Sequence, residues 1–336
     1  MSRPATRSKP GSLGRRIERL ARAAVPFVIS AALLAYLFDR IDVRLALDYL
    51  TLDVLARFAL PLVLWSVVTL VIEAQCLHRV ARANSQTLSR VVAARIKAAC
   101  YLLGILNYAL GAAGLTLLMR RRTGVGLGEC AGMVFLISLF DMGSVLFWFA
   151  AGGSLLQAEQ AGSTLGLRIG LVTMLIGAIV AGFVFLRAKR PMGPLDRIRE
   201  LDVLRAPRTA PVGLLVELGL LRLAFVGSFV ALTGALLWSF GLSVDPFRLA
   251  MNVGVMLVVS VLPIAAGGLG TGQVAFVELF SGVAPDAQLL AASILLTLGV
   301  LGTRAIVGLG FASEFTREAL EAARQGDADD SSSGAS

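Results

Sequence analysis

The sequence predicts an all-α, polytopic membrane protein built as a helical bundle, and three observations indicate this class. Of the 336 residues, 57% are hydrophobic and 16% are charged, whereas ordinary soluble domains carry roughly 25% charged residues. Apolar runs of roughly 20 residues, enough to cross a hydrocarbon core, recur along the chain. One of these runs is interrupted by proline and clustered glycines, which predicts a broken helix at membrane depth.

Eight apolar segments are predicted, and the basic residues concentrate between some of them. The segments are 23–38, 54–72, 96–119, 130–152, 166–186, 213–240, 249–280 and 288–312. Lys and Arg mark the cytoplasmic side of a membrane protein. Seven of them precede residue 25 and seven lie in 187–211, whereas 153–165 has none. We therefore expect cytoplasmic N- and C-termini in a bacterial-type inner membrane.

Two of the segments have flanks that do not suit a single crossing. Both flanks of 96–119 are basic, so both ends of this segment should face the cytoplasm. Both flanks of 249–280 are poor in basic residues. About six crossings plus two re-entrant hairpins, one entering from each side, would satisfy these flanks. The alternative is eight ordinary spans with an imperfect charge bias.

With two hairpins, the second half of the chain would repeat the first half upside down. Inverted repeats with broken helices near the membrane midplane are typical of transporters. The predicted divisions are a basic cytoplasmic tail 1–22, a first membrane repeat 23–152, an outer linker 153–165, a second membrane repeat 166–312 and a partly disordered cytoplasmic tail 313–336.

The interrupted run, Leu262–Gln273, reads LPIAAGGLGTGQ. It resembles the LPxxPGGLGxxE signature of the lysylphosphatidylglycerol synthase transmembrane-region family, whose members are flippase-like integral membrane proteins. Residues 107–122 (NYALGAAGLTLLMRRR) are similar to the second signature of that family. The resemblance implies translocation of a phospholipid or a polyprenyl-linked lipid. The first signature is matched at Pro263, Gly267, Gly268, Leu269 and Gly270.

The chain departs from the family pattern at positions that carry carboxylates there. Gln273 stands where the family has glutamate, and Leu115 stands where a second glutamate follows Gly114. The family proline before the double glycine is replaced by Ala266. The hairpins have thus lost several ionisable groups, and if the family couples transport to protons or ions through those groups, that coupling is not expected in this chain.

Glycine and amide residues in the two hairpins are candidates for contact with a lipid headgroup. Glycines allow close approach of a headgroup, and free N–H groups at the start of a half-helix attract phosphate. Tight helix packing through small residues would explain the same glycines. Gln273 and Asn107 would either contact the headgroup or cap hairpin backbone.

Charged residues supply the other candidates. Asp141 lies inside an apolar segment, where a charge is costly unless it is paired, and Arg222 is the proposed structural partner. Arg222 would otherwise extend to the cytoplasmic surface or bind phosphate, and Arg304 would reach the same surface. Arg120–Arg122 would recruit anionic headgroups or act only as topology signals. The predicted substrate-binding set is Asn107, Arg120, Arg121, Arg122, Asp141, Arg222, Pro263, Gly267, Gly268, Gly270 and Gln273.

The sequence therefore favours a flippase-like transporter that moves an anionic lipid between leaflets. The alternative is a non-transporting accessory subunit that holds a membrane lipid or glycan synthase near its lipid. A membrane-embedded enzyme is a weaker possibility, and we expect no catalytic site, metal or cofactor. His78 is the only histidine, and the three cysteines lack metal-ligand spacing. The basic residues lie at segment ends, which disfavours nucleic acid as a partner.

Overall fold

A computed structural model of the protein describes residues 30–33, 35–106, 108–156, 170, 173–174, 177, 180–187, 200–261 and 270–312. Across these residues the fold is helical, with no β-strand, as predicted. Short helical stretches at 30–33, 35–40 and 180–187 accompany the principal helices. The principal helices are α1 (Val43–Asp48), α2 (Leu52–Ala83), α3 (Arg90–Leu106), α4 (Tyr108–Thr123), α5 (Leu127–Leu156), α6 (Asp202–Thr209), α7 (Val212–Ser239), α8 (Pro246–Val261), α9 (Thr271–Leu279) and α10 (Asp286–Gly310).

Four of these helices are long and apolar enough to cross a membrane: α2, residues Leu127–Ala151 of α5, α7 and α10. Their outward faces remain apolar. The side chains of Leu60, Leu220 and Ile306 are all more than 60% exposed. Water would not solvate such a continuous apolar surface favourably, whereas lipid would cover it. These features indicate an integral membrane protein.

The predicted segment 96–119 is two helices. Helices α3 and α4 fold back on one another at a pair of glycines, where a Cβ added to Gly111 would lie 3.0 Å from the Cα of Gly104. Only residues 84–89 join α2 to α3, and only residues 124–126 join α4 to α5. This first hairpin therefore begins and ends at the same end of the bundle.

Helices α8 and α9 form a second hairpin, and residues 262–269 between them lie outside the described part of the chain. The side-chain amide of Asn252 on α8 donates a hydrogen bond to the carbonyl of Leu279 on α9 at 2.7 Å. Helix α8 follows α7 after residues 240–245, and α9 precedes α10 by residues 280–285. The second hairpin therefore has its base where α7 ends and α10 begins.

Contacts between the long helices define their directions. Trp65 on α2 packs on Phe229 of α7, with ring centroids 5.8 Å apart, and Arg79 pairs with Glu217, so these two helices are antiparallel. Along α5, in contrast, Phe140 faces Gly219 of α7, and Trp148 donates a hydrogen bond to the carbonyl of Leu223. Helices α5 and α7 are therefore parallel. The two hairpins consequently have their bases at opposite ends of the bundle.

Each hairpin packs against the last long helix of the other half of the chain. On α10, Gly308 closely approaches Leu102 and the carbonyl of Ala98 on α3. On α5, the backbone of Phe149 closely approaches Gly254 of α8. The buried apolar side chains form two separate clusters, one near each end of the bundle, with Leu77 in one and Phe276 in the other.

Candidate functional site

A cavity of about 580 Å³ lies between the two apolar clusters. The first hairpin contributes Gly104 and Gly111 to its wall, and the second hairpin contributes Gly272 and Phe276. Side chains from all four long helices complete the wall. Described residues of both hairpins thus line one space.

The cavity is charged, although the helices around it are apolar. Three cationic and two anionic side chains line it: Glu73, Lys97, Asp141, Arg222 and Arg304. A charged group within a membrane helix costs free energy unless it is paired or hydrated. Their concentration in one cavity makes this the candidate functional site.

The first charge pair joins α2 to the first hairpin. Lys97 Nζ lies 2.9 Å from Glu73 Oε1, and the Tyr101 hydroxyl donates a hydrogen bond to Glu73 Oε2 at 2.5 Å. Glu73 is only 6% exposed. Both carboxylate oxygens therefore have partners, which offsets the cost of burying this charge.

The second charge pair joins α5 to α7, and it is the pairing of Asp141 with Arg222 expected from the sequence. Arg222 Nη1 lies 3.1 Å from Asp141 Oδ1. Arg222 is 1% exposed, and its guanidinium lies 5.2 Å from the centroid of the Phe225 ring. The expectation that Arg222 extends to the cytoplasmic surface is therefore wrong, because aromatic and carboxylate partners hold it inside the bundle.

The fifth charged side chain, Arg304 on α10, lies between two aromatic rings. Its guanidinium carbon is 5.4 Å from the centroid of Tyr101 and 5.8 Å from that of Trp65. It lines the cavity, so the expectation that it reaches the cytoplasmic surface is also wrong. Cation–π attraction to the two rings favours the inward position.

Two of the predicted site residues stabilise the start of α9. The backbone N–H of Gly270 donates a hydrogen bond to Gln273 Oε1 at 2.7 Å, and Gln273 Nε2 donates one to Thr297 Oγ1 at 3.1 Å. Gly270 has a φ of +88°, and a Cβ there would lie 2.9 Å from the carbonyl oxygen of Ser30. Gln273 thus makes the backbone cap that the sequence allowed, and Gly270 permits close packing of residues 30–33.

The remaining predicted site residues are not in the described wall of the cavity. Arg120, Arg121 and Arg122 occupy the last turn of α4, at the opposite end of this helix from the cavity. Their predicted contact with inner-leaflet headgroups stays a prediction. The other four, Asn107, Pro263, Gly267 and Gly268, lie outside the described residues.

Glu73 and Lys97 were missed as site residues because the predicted segments ended or began beside them. Segment 54–72 ended one residue before Glu73, but α2 continues to Ala83. Lys97 was counted among flanking charges, but α3 begins at Arg90, which places Lys97 about two turns inside the helix. A useful signal was the spacing of Lys97 and Tyr101, which puts both on one helix face.

Comparisons with protein-family models, curated proteins and solved structures found no match to the chain. The resemblance at Leu262–Gln273 therefore stays a prediction from the sequence. The function is argued below from the cavity.

Proposed function

We propose that the protein is a flippase-like transporter, which moves a phospholipid or a polyprenyl-linked lipid between the leaflets of the inner membrane. The observation that carries this proposal is a charged cavity lined by both hairpins, inside a bundle of apolar helices. A polar headgroup crosses hydrocarbon at high cost, and such a cavity would lower that cost while the acyl chains stay in lipid. Its volume of about 580 Å³ falls within the range of roughly 300–1,000 Å³ for ligand pockets.

The proposed topology has six crossings and two re-entrant hairpins. Parallel packing of α5 and α7 supports it, because the chain must then return from the end of α5 to the start of α7. Helical residues 180–187 suit that return: Phe183 packs on Phe140 with ring centroids 6.0 Å apart, and Arg187 donates a hydrogen bond to the carbonyl of Ala210. Residues 30–40 would form the corresponding crossing in the first half.

The proposed inverted repeat has support from matching helix contacts. Helix α3 packs on α10 as α8 packs on α5, and α1 packs on α10 as α6 packs on α5. In each half, a short helix, a long helix, a hairpin and a second long helix follow in the same order. Transporters built this way expose a central site to alternate sides by rocking one half against the other.

In the proposed mechanism, Arg120–Arg122 gather an anionic headgroup at the cytoplasmic surface. The headgroup enters beside the first hairpin, whose tip carries Asn107. It then contacts the charged cavity wall, where Asp141 and Arg222 adjust the local charge. The proposed path continues at the second hairpin, where Pro263, Gly267 and Gly268 stand in the sequence between α8 and α9.

Reconstitution tests this proposal with two variants that introduce the same bulky residue. Ser138 lines the cavity, whereas Leu220 is 63% exposed on the outer face of α7. In vesicles with fluorescent lipids, we expect wild type and Leu220→Trp to move lipid between leaflets. Ser138→Trp should reduce the rate at least tenfold, because the indole fills the cavity.

If folded wild-type protein moves no lipid across a panel of anionic, zwitterionic and polyprenyl-linked lipids, the transport proposal is wrong. The accessory-subunit alternative would then account for the protein. Equal rates for the two tryptophan variants would show that the cavity is not the transport path.

A further inference from the structure

Arg304 is the cavity cation for which the described residues supply no carboxylate partner. Lys97 pairs with Glu73, and Arg222 pairs with Asp141. Within each pair the positive and negative charges cancel. The described cavity wall therefore retains one formal positive charge. That charge is the guanidinium of Arg304.

Trp65 provides a second unused donor next to this guanidinium. Its side chain lines the cavity and is 5% exposed. The buried indole N–H has no hydrogen-bond acceptor in the part of the chain that the structure describes. A buried N–H group without an acceptor costs free energy, so an acceptor bound in the cavity would be favoured there.

The guanidinium of Arg304 is held in place from two sides. The rings of Trp65 and Tyr101 flank it, and the Tyr101 hydroxyl is itself fixed by its hydrogen bond to Glu73. A guanidinium positioned in this way loses little freedom on binding, and its planar fork of N–H donors fits two oxygens of one phosphate.

We propose that Arg304 and the Trp65 indole N–H bind the phosphodiester of the transported lipid, an inference that rests on the proposed function. One uncompensated positive charge matches one phosphodiester charge, leaving the occupied cavity neutral. A phosphomonoester can carry a second negative charge, which would be left without a partner in a site of low dielectric constant. Phosphodiesters are therefore preferred over phosphomonoesters. Soluble phosphate esters share this chemistry and are tested separately.

Equilibrium binding to the purified full-length protein in detergent tests the assignment. Short-chain phosphatidylglycerol carries the phosphodiester, phosphatidic acid of the same chain length carries the monoester, and diacylglycerol carries neither. We expect wild type to bind phosphatidylglycerol at least tenfold more tightly than the other two, and to bind glycerophosphoglycerol, a soluble phosphodiester with the same headgroup, only weakly. This preference is measured without any substitution.

Variants then locate the site. Arg304→Gln should weaken phosphatidylglycerol binding at least tenfold, and Arg304→Lys should weaken it less because the charge remains. Trp65→Phe keeps an aromatic ring but removes the N–H, so a loss of about threefold to tenfold is expected. Arg44, an exposed arginine on α1, provides the control Arg44→Gln, which should bind as wild type does.

Each other outcome would overturn the assignment. If wild type moves lipids but binds diacylglycerol or phosphatidic acid as well as phosphatidylglycerol, the phosphodiester site is wrong while the transport proposal stands. Glycerophosphoglycerol binding as tightly as the lipid would assign the site to soluble phosphodiesters. Failure to bind or move any lipid would overturn both proposals. Unchanged binding in folded Arg304→Gln or Trp65→Phe would contradict the contribution of that donor.

Discussion

The two hairpins contribute different chemistry to the same cavity. The first hairpin brings Lys97 and Tyr101, which both bind Glu73, and the Tyr101 ring also contacts Arg304. The described residues of the second hairpin bring Met256, Phe276 and other side chains without charge. The glycine-rich hairpin singled out by the sequence is thus the less charged of the two. Charge paired across helices, rather than glycine alone, marks the proposed binding wall.

The charged side chains of the cavity lie closer to one end of the bundle than to the other. By the helix rise, Lys97 lies about 10 Å from the start of α3, and Arg304 lies about 9 Å from the end of α10. Both are nearer to the end where the first hairpin has its base. The charge rule predicts that this end is cytoplasmic, so we expect a headgroup to be held in the inner half of the membrane.

The largest difference between the two hairpins should follow from removing a charged side chain. Lys97→Met leaves Glu73 buried without its cation, and breaking a buried pair in this way costs about 3–5 kcal/mol in the free energy of unfolding. Met256→Leu on the second hairpin should cost less than about 1.5 kcal/mol, because it conserves volume. Thermal unfolding in detergent measures both variants.

The double variant Glu73→Gln/Lys97→Met is the control for the charge pair. It should recover most of the stability lost in Lys97→Met, because no buried carboxylate is left unpaired. Equal unfolding temperatures for Lys97→Met and Met256→Leu would contradict the difference between the hairpins.

Glycine packing provides the next test, again with the same substitution in each hairpin. A Cβ at Gly111 would press on the backbone of Gly104, whereas a Cβ at Gly272 would meet no atom of the described residues within 4 Å. We expect Gly111→Ala to cost about 1–3 kcal/mol by forcing the arms of the first hairpin apart. Gly272→Ala should be neutral or slightly stabilising. Unfolding temperatures and lipid transport rates check both variants. A larger loss of stability in Gly272→Ala than in Gly111→Ala would contradict the expected difference in packing between the hairpins.

Removing the cap at the second hairpin should have a smaller, purely structural effect. Gln273→Leu loses the hydrogen bonds to the Gly270 N–H and to Thr297, a cost of about 1–2 kcal/mol. The phosphatidylglycerol affinity of the folded variant should stay within about twofold of wild type. Arg304→Gln, in contrast, should lose at least tenfold, which corresponds to roughly 1.4 kcal/mol of binding free energy. Thr297→Val is a partial control, since it removes only the Thr297 hydroxyl. A tenfold loss of affinity in Gln273→Leu would place this amide in the binding site.

The smallest effect is expected at the base of the second hairpin, where Arg40 contacts Glu278 at 2.7 Å. Both side chains are about half exposed, with 46% and 52% of their surface accessible. Exposed pairs contribute little because water and salt screen them. Glu278→Gln should leave the unfolding temperature and the lipid transport rate unchanged, and a clear loss of either would show that this contact holds the hairpin in place.

Sequence reasoning predicted the helical fold, the break between α3 and α4 and the pairing of Asp141 with Arg222. It did not predict Glu73, Lys97 or Arg304 as cavity residues. Hydropathy gives the cost of each residue by itself, so a charge near the end of a segment, such as Glu73 or Lys97, is assigned to the flank. The cost of Glu73 is offset by Lys97, 24 positions later in the chain, and such a distant pairing is apparent only after α2 and α3 are packed together.

The most direct test of the central claim is a structure of the protein determined in a lipid bilayer containing phosphatidylglycerol. The account predicts density for a headgroup inside the cavity, between the hairpin tips, with its phosphate within hydrogen-bond distance of Arg304. Lipid density confined to the outer faces of the four long helices, with side chains filling the cavity, would contradict it.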